Sequence, residues 1–264
     1  MKTKLFFSLL ILASVFYSCK KSDSGTTTIP TPVYGIAKDS MYTSTANQTT
    51  VREYDYNTNK QLIRVRFKYG TSTTYNQRDT IIYNSSGQIA SVLTFQSGSS
   101  TAQQTDTYNY TSGILTSVNE TGTNNNGAYA FTRTYTDSAG KLNSVTINYT
   151  SGTNTQNNGP QNIKYITYSS NNMNKAYLVG YGAATATADL TAPNPYYGLN
   201  YNSSDFIDMV NQNNILTAYL TAMPSTLLVS NTYTYANGRV ATINSAATQG
   251  NSTASTTVIT YKTL

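Results

Sequence analysis

Few residues in this chain can do acid–base or nucleophilic chemistry. It has nine Asp, two Glu, one Cys and no His or Trp, against 24 Tyr. Without His there is no Ser-His-Asp or Cys-His nucleophile system, no His-ligated zinc or haem, and no imidazole switch. A single Cys excludes an internal disulfide and a thiolate-held iron–sulfur cluster. A glycosidase needs two carboxylates roughly 5–10 Å apart in one cleft. Glu53 and Glu120 lie far apart in the chain with no motif around them. Asp205 and Asp208 follow Ser204 and read as the capped, acidic first turn of a helix. No Asp-x-Asp-x-Asp loop offers calcium its oxygens. No cofactor and no metal site is expected, and the chain reads as a non-enzyme.

One local charge excess stands out. Arg64, Arg66 and Lys68 alternate along one stretch, with Arg52 and Arg78 nearby. They are candidate contacts for an anionic glycan or phosphate. The competing and preferred reading is a solvated face that keeps a strand from pairing with another chain. Charged residues are only 11% of the chain and form no basic block, so nucleic acid is not an expected partner.

The lone Cys has an explanation. Lys2 and Lys4 form a basic start, and Leu5 to Phe16 is an apolar run. That run has signal-peptide length and is too short to span a bilayer. Phe16-Tyr17-Ser18-Cys19 closes it and resembles a bacterial lipobox, which implies acylation at Cys19. An ordinary secretory signal is the alternative. Residues 1–18 are then a lipoprotein signal peptide and 19–32 a Ser/Thr/Gly-rich tether with Pro30 and Pro32. The partner this implies is the membrane, through an acylated N-terminus.

Residues 33–264 are built from a repeat. Each unit has an alternating aromatic stretch, a turn, then Gly-x-apolar-x-x-Val. The clearest copies start at Gly87, Gly113, Gly140 and Gly238, and an earlier one has Lys60 in the Gly place. Pairs such as Tyr54/Tyr56, Ile81/Tyr83, Tyr108/Tyr110 and Tyr233/Tyr235 project from one strand face. In the second strand Val65/Phe67/Tyr69 share one parity and Arg64/Arg66/Lys68 the other. That is an antiparallel sheet with one dry face. The expectation is an all-β, up-and-down antiparallel meander of about 12–14 strands, as a curved sheet or flattened barrel. Its outward Thr/Ser/Asn/Arg face is the reverse of what lipid requires of a membrane barrel.

A gap of 67 residues separates the apolar anchors at Met173 and Val240. It predicts one helix-containing insertion at about 180–230. Asn194-Pro195-Tyr196-Tyr197 is turn chemistry there, and Phe206, Met209 and Val210 share a helix face. A plug over the apolar face is preferred to a ligand-gating lid.

The Tyr-x-Tyr-x-x-Gly-x-apolar-x-x-Val unit resembles the YD repeats of Rhs-type surface proteins. Together with the lipobox-like tetrad, the tether and the Asn-Pro-aromatic insertion, the chain is similar to secreted Bacteroidota lipoproteins with a domain of unknown function and a porin-like β fold. That resemblance implies a large antiparallel β structure in an outer-membrane lipoprotein, surface-exposed or periplasmic-facing. It implies no activity and assigns no catalytic residues. Asp39-Ser40-Met41, Asp79-Thr80-Ile81 and Asp137-Ser138-Ala139 resemble O-glycosylation sites of that phylum.

Two functions are expected to compete. One is a module whose tyrosines hold a glycan or an amphipathic ligand. The other is a structural or assembly lipoprotein acting through protein partners. A glycan-active enzyme is a remote third.

Overall fold

The computed structural model describes residues 33–264 except 45–47, 125–126, 139–140, 153–161, 170–171, 179–181, 198, 200–212, 222 and 249–252. Sixteen strands are present among the described residues. They are β1 Tyr34–Thr43, β2 Gln48–Tyr56, β3 Leu62–Tyr69, β4 Gln77–Tyr83, β5 Ile89–Gln96, β6 Gln104–Thr111, β7 Ile114–Asn124 and β8 Gly127–Ser138. They continue as β9 Lys141–Ser151, β10 Asn162–Ser169, β11 Asn172–Leu178, β12 Gly182–Pro193, β13 Asn213–Leu220, β14 Met223–Ala236, β15 Arg239–Ser245 and β16 Ser255–Thr263. Each pairs antiparallel with its chain neighbours, and β1 pairs with β16, which closes the meander into a barrel.

The strand number exceeds the expected 12–14 because most of 180–230 joins the wall as β12, β13 and part of β14. The Thr/Ala alternation of β12 lacks the aromatic rungs that mark the repeat. The insertion shrinks to the connection 194–212. Its expected helix, Ser204 to Val210, lies outside the described residues, as do Cys19, the signal peptide and the tether. β12 comes within 8 Å of β15, Cα to Cα. Three strand spacings along an open sheet would be about 14 Å, so the wall folds over there and the barrel is flattened.

The repeat becomes a hairpin with a bulge. Tyr54 lies opposite Val65, Ile81 opposite Val92, Tyr108 opposite Val118, Tyr135 opposite Val145 and Tyr233 opposite Ile243. Two residues on, Tyr56 meets Leu62, Tyr83 meets Ile89, Tyr110 meets Leu115 and Tyr235 meets Val240. Between the two pairs one residue of the second strand is skipped: Ile63, Ala90, Thr116 or Ala241. Plain alternation would put Leu62 and Val65 on opposite faces. The bulge turns both inward, and they are 5% and 0% exposed. Asn57 accepts the N–H groups of Asn59 and Gln61, and Asn84 those of Ser86 and Gln88. Lys60 takes φ 64° where the next copy has Gly87 at 77°, the left-handed residue that ends such a turn.

The inner face has two zones. Near the tight hairpins it is apolar: Ile36, Tyr54, Val65, Ile81, Val92, Tyr108, Val118 and Val145 form one buried cluster. Farther along the strands it is polar. Asp39, Asp79, Asp106, Glu120 and Arg133 are all buried there. Arg133 Nη1 lies 2.9 Å from Glu120 Oε2, and Tyr129 Oη donates to Glu120 Oε1 at 3.0 Å. Asp79 Oδ1 accepts Gln77 Nε2 at 3.0 Å and Thr94 Oγ1 at 2.9 Å.

Burial, reinforced by Asp106 and opposed by Gln77 and Thr94, pushes the Asp79 carboxyl from 3.8 up to about 6. The folded state therefore binds more protons than the unfolded chain between those values. Stability from this group falls as pH rises through that window and is fully present below it. Asp79→Asn is expected to flatten that dependence and to raise the melting temperature at pH 7.5 by a few degrees. Calorimetry from pH 4 to pH 8 checks it, and a variant with an unchanged pH slope refutes the assignment.

The outer face is polar, as expected. Arg64, Arg66 and Lys68 project outward on β3 and meet Glu53 and Asp55 on β2 at 3.1–3.8 Å. Tyr75 lies beneath Arg66 and Lys68, 4.6 and 4.5 Å from its ring centre. Exposed apolar side chains on this wall stand singly: Ile82 faces Ser91, and Val258 sits between Ser40 and Thr242.

Candidate functional site

A pocket opens at the hairpin end of the barrel, where the ring of turns is interrupted by the seam between β1 and β16. The seam itself is tied by Leu264 N–H donating to Val33 O at 2.8 Å. Repeat logic explains the gap. Tyr83 Oη donates to Leu62 O at 2.8 Å, Tyr168 Oη to Leu142 O at 2.7 Å and Tyr261 Oη to Val240 O at 2.9 Å. Each tyrosine thus closes on the strand before it. Tyr56 holds the corresponding place beside β1, where no preceding hairpin exists. Its hydroxyl is buried beside the Ile36 backbone without the geometry of a hydrogen bond, and it has no partner. Desolvation pushes that phenol up to about 12, so it is a neutral O–H. Gly35 makes room for it: a Cβ there would stand 2.7 Å from Tyr56 Cζ and 2.9 Å from its Oη.

The second wall is the connection after β12. Asn194 Oδ1 accepts Tyr196 N–H at 3.0 Å, and Asn194 O accepts Tyr197 N–H at 3.2 Å. Pro195 sits at the second position of this turn, where its fixed φ suits. Tyr196 turns into the barrel. Its hydroxyl donates to Asp39 Oδ2 at 3.1 Å, and Arg52 lies 5.2 Å from its ring centre. Asp39 is fully buried and also accepts Tyr54 Oη at 2.6 Å and Arg52 Nε at 2.9 Å. Tyr196 and Leu199 pack on the apolar cluster. Tyr197, 45% exposed, faces out to the rim.

The pocket holds about 400 Å³ between Tyr34, Tyr56, Tyr197, Tyr261, Lys60 and Arg239. The Arg239 guanidinium carbon lies 3.5 Å from the Tyr34 ring centre and 5.9 Å from that of Tyr261. One N–H edge donates to Asn237 O at 3.3 Å. Pockets of this size, aromatic with a few placed polar groups, suit small ligands.

None of the stripe residues singled out from sequence lines this pocket. Arg64, Arg66 and Lys68 stay on the outer wall with their carboxylate partners. Arg52 does not join them: it points inward to Asp39. Arg78 is outward, packed over Phe95 at 4.3 Å from the ring centre. Asp39 and Asp79, the acidic members of two O-glycosylation-like triplets, are buried inside the barrel. Sequence reasoning passed over Tyr34, Tyr197, Arg239 and Tyr261. Their only local signal is the Arg that follows Asn237-Gly238.

No family model matches the chain, and no curated protein matches it. Among solved structures it is similar to a porin-like protein from Bacteroides uniformis, at 14% identity and a TM-score of 0.52, over 86% of this chain and 96% of that one. A porin-like protein from Bacteroides vulgatus matches over 88% and 100% at 10% identity, with a TM-score of 0.37. TcdB2-TccC3 matches over 76% of this chain and 11% of its own, at 14% identity and a TM-score of 0.26. The last two superpose too loosely to bear on the fold. The first shows a shared porin-like β fold, the fold that the resemblance implies.

Proposed function

We propose that this barrel is a non-enzymatic binding module of the cell envelope, anchored to the outer membrane by an acylated Cys19, whose end pocket takes a glycan or an amphipathic ligand. The pocket carries this reading: four tyrosines and two cations line one solvent-open cavity. Tyrosine faces stack on the C–H side of sugar rings or on acyl chains while their hydroxyls bond polar groups. The lipobox-like tetrad and the porin-like Bacteroides neighbour fit an envelope location. Membership of the Bacteroidota lipoprotein family is part of this proposal. The non-enzyme reading is supported by where the carboxylates lie. Asp39, Asp79, Asp106 and Glu120 are sealed from solvent, while Glu53 and Asp55 are engaged by arginine and lysine on the outer wall.

Tyr34→Ala/Tyr197→Ala is expected to weaken binding at least tenfold on glycan and lipid arrays while the circular dichroism melt shifts by only a few degrees. Both side chains are more than a third exposed, so little core packing is lost. A wild-type protein that binds no ligand class would overturn the proposal.

A further inference from the structure

We propose that the end pocket is selective for sugars bearing a carboxylate, with Arg239 as the anion anchor. This rests on the pocket being a ligand site and adds the class of ligand.

The charged side chains of the lining have one sign: Lys60 and Arg239 line the pocket, and no Asp or Glu does. Elsewhere the described arginines meet acids: Arg52 with Asp39, Arg64 with Asp55, Arg66 with Glu53 and Asp55, Arg133 with Glu120. Among the described residues only Arg78 and Arg239 form no such ion pair. Arg78 stands on the outer wall opposite Arg66, whereas Arg239 faces a cavity. Two cationic side chains in one concave site, with no acidic side chain in its lining, favour an incoming anion.

The geometry narrows the anion. Tyr34 and Tyr261 lie 3.5 and 5.9 Å from the guanidinium carbon, measured to the ring centres, and the guanidinium can bond a ligand's oxygens only through its planar N–H edge. One part of that edge is spent on Asn237 O. What is left is a coplanar set of donors, which matches the two oxygens of a carboxylate in one plane. A phosphate spreads its oxygens tetrahedrally and is best held by donors converging from several directions, which this edge does not supply. Lys60 sits at the rim, lifted into the solvent by its left-handed turn. The aromatic faces then serve the ring of the sugar. An acidic monosaccharide satisfies both features at once.

The test is calorimetric titration of the full barrel with D-glucuronic acid and D-galacturonic acid. The comparison ligands are glucose, galactose, inorganic phosphate and phosphatidylglycerol vesicles. The acids are expected to bind at least tenfold tighter than the neutral sugars, and to weaken several-fold between 50 and 500 mM NaCl. Arg239→Gln is expected to abolish the preference. Lys60→Asn, which fits the left-handed turn without touching the core, is expected to reduce it two- to fivefold and covers the case in which Arg239→Gln fails to fold. Equal binding of acidic and neutral sugars, or tighter binding of phosphate or of the vesicles, overturns the selectivity. In that case the pocket reading stands if Tyr34→Ala/Tyr197→Ala still abolishes binding. Binding that survives those tyrosine changes overturns both.

Discussion

Replacing Arg133 with Met is expected to destabilise the barrel by about 3–5 kcal/mol, the usual cost of removing one partner of a buried ion pair. Arg133 and Glu120 are 7% and 6% exposed, and Asp106 at 4% lies directly across from Glu120. Without the guanidinium, two carboxylates share a dry space with only hydroxyl and amide donors. Burial and Asp106 already push the Glu120 carboxyl up against the opposing pull of Arg133. In the variant it rises further, so the folded state holds its proton to higher pH than the unfolded chain does. Stability is then lost as pH rises through that window and regained as pH falls. A melting temperature lower by about 10 °C at pH 7.5, recovering toward wild type at pH 5, is the expected result in thermal melts. The double variant Arg133→Met/Glu120→Gln should recover most of the loss. A single variant that melts with wild type at pH 7.5 would mean that this ion pair does not hold the polar zone together.

Asp39→Ala should cost a similar amount and do something more specific. Asp39 is the acceptor shared by Arg52, Tyr54 and Tyr196. Removing it takes one buried acceptor from each of two phenols and a guanidinium, a loss of about 3–5 kcal/mol by the same reasoning. The bond to Tyr196 also fixes the turn from which Tyr197 reaches the pocket rim. The variant is therefore expected to be cut faster by protease at the 194–197 turn and to lose ligand affinity, although no mutated atom touches the pocket. Asp39→Asn retains an acceptor oxygen and should show about half the destabilisation. Wild-type cleavage rates in Asp39→Ala would show that Tyr196 is held by packing alone.

Much of this fold was readable as periodicity. The pairs Tyr54/Tyr56 and Tyr108/Tyr110 give the inward face, and Asn57 and Gly87 give the turns. The bulge was visible too, in the three-residue step from Leu62 to Val65. It went uninterpreted because two residues three apart share a face only if the strand is interrupted between them. The buried polar zone left a clearer trace: Arg52, Asp79, Asp106 and Arg133 follow one another at intervals of 27 residues. Each stands two places before the first rung of its unit, hence on the same face. Arg52 was grouped by proximity in sequence with the outward stripe, although its parity is that of Tyr54. The pocket could not be read at all. Tyr34, Lys60, Tyr197, Arg239 and Tyr261 come from five separate stretches, and only barrel closure brings the first and last together.

Closure has a consequence for how the protein is made. The pairing of Tyr34 with Thr263 joins strands separated by almost the whole domain, so it carries the largest loop-closure entropy in the molecule. Until β16 has emerged, β1 and the newest strand are bare edges, open to pairing with another chain. Closure of the cylinder therefore waits for β16 by topology. A growing chain can build hairpins in sequence, but its last strand completes the wall and removes both edges at one stroke.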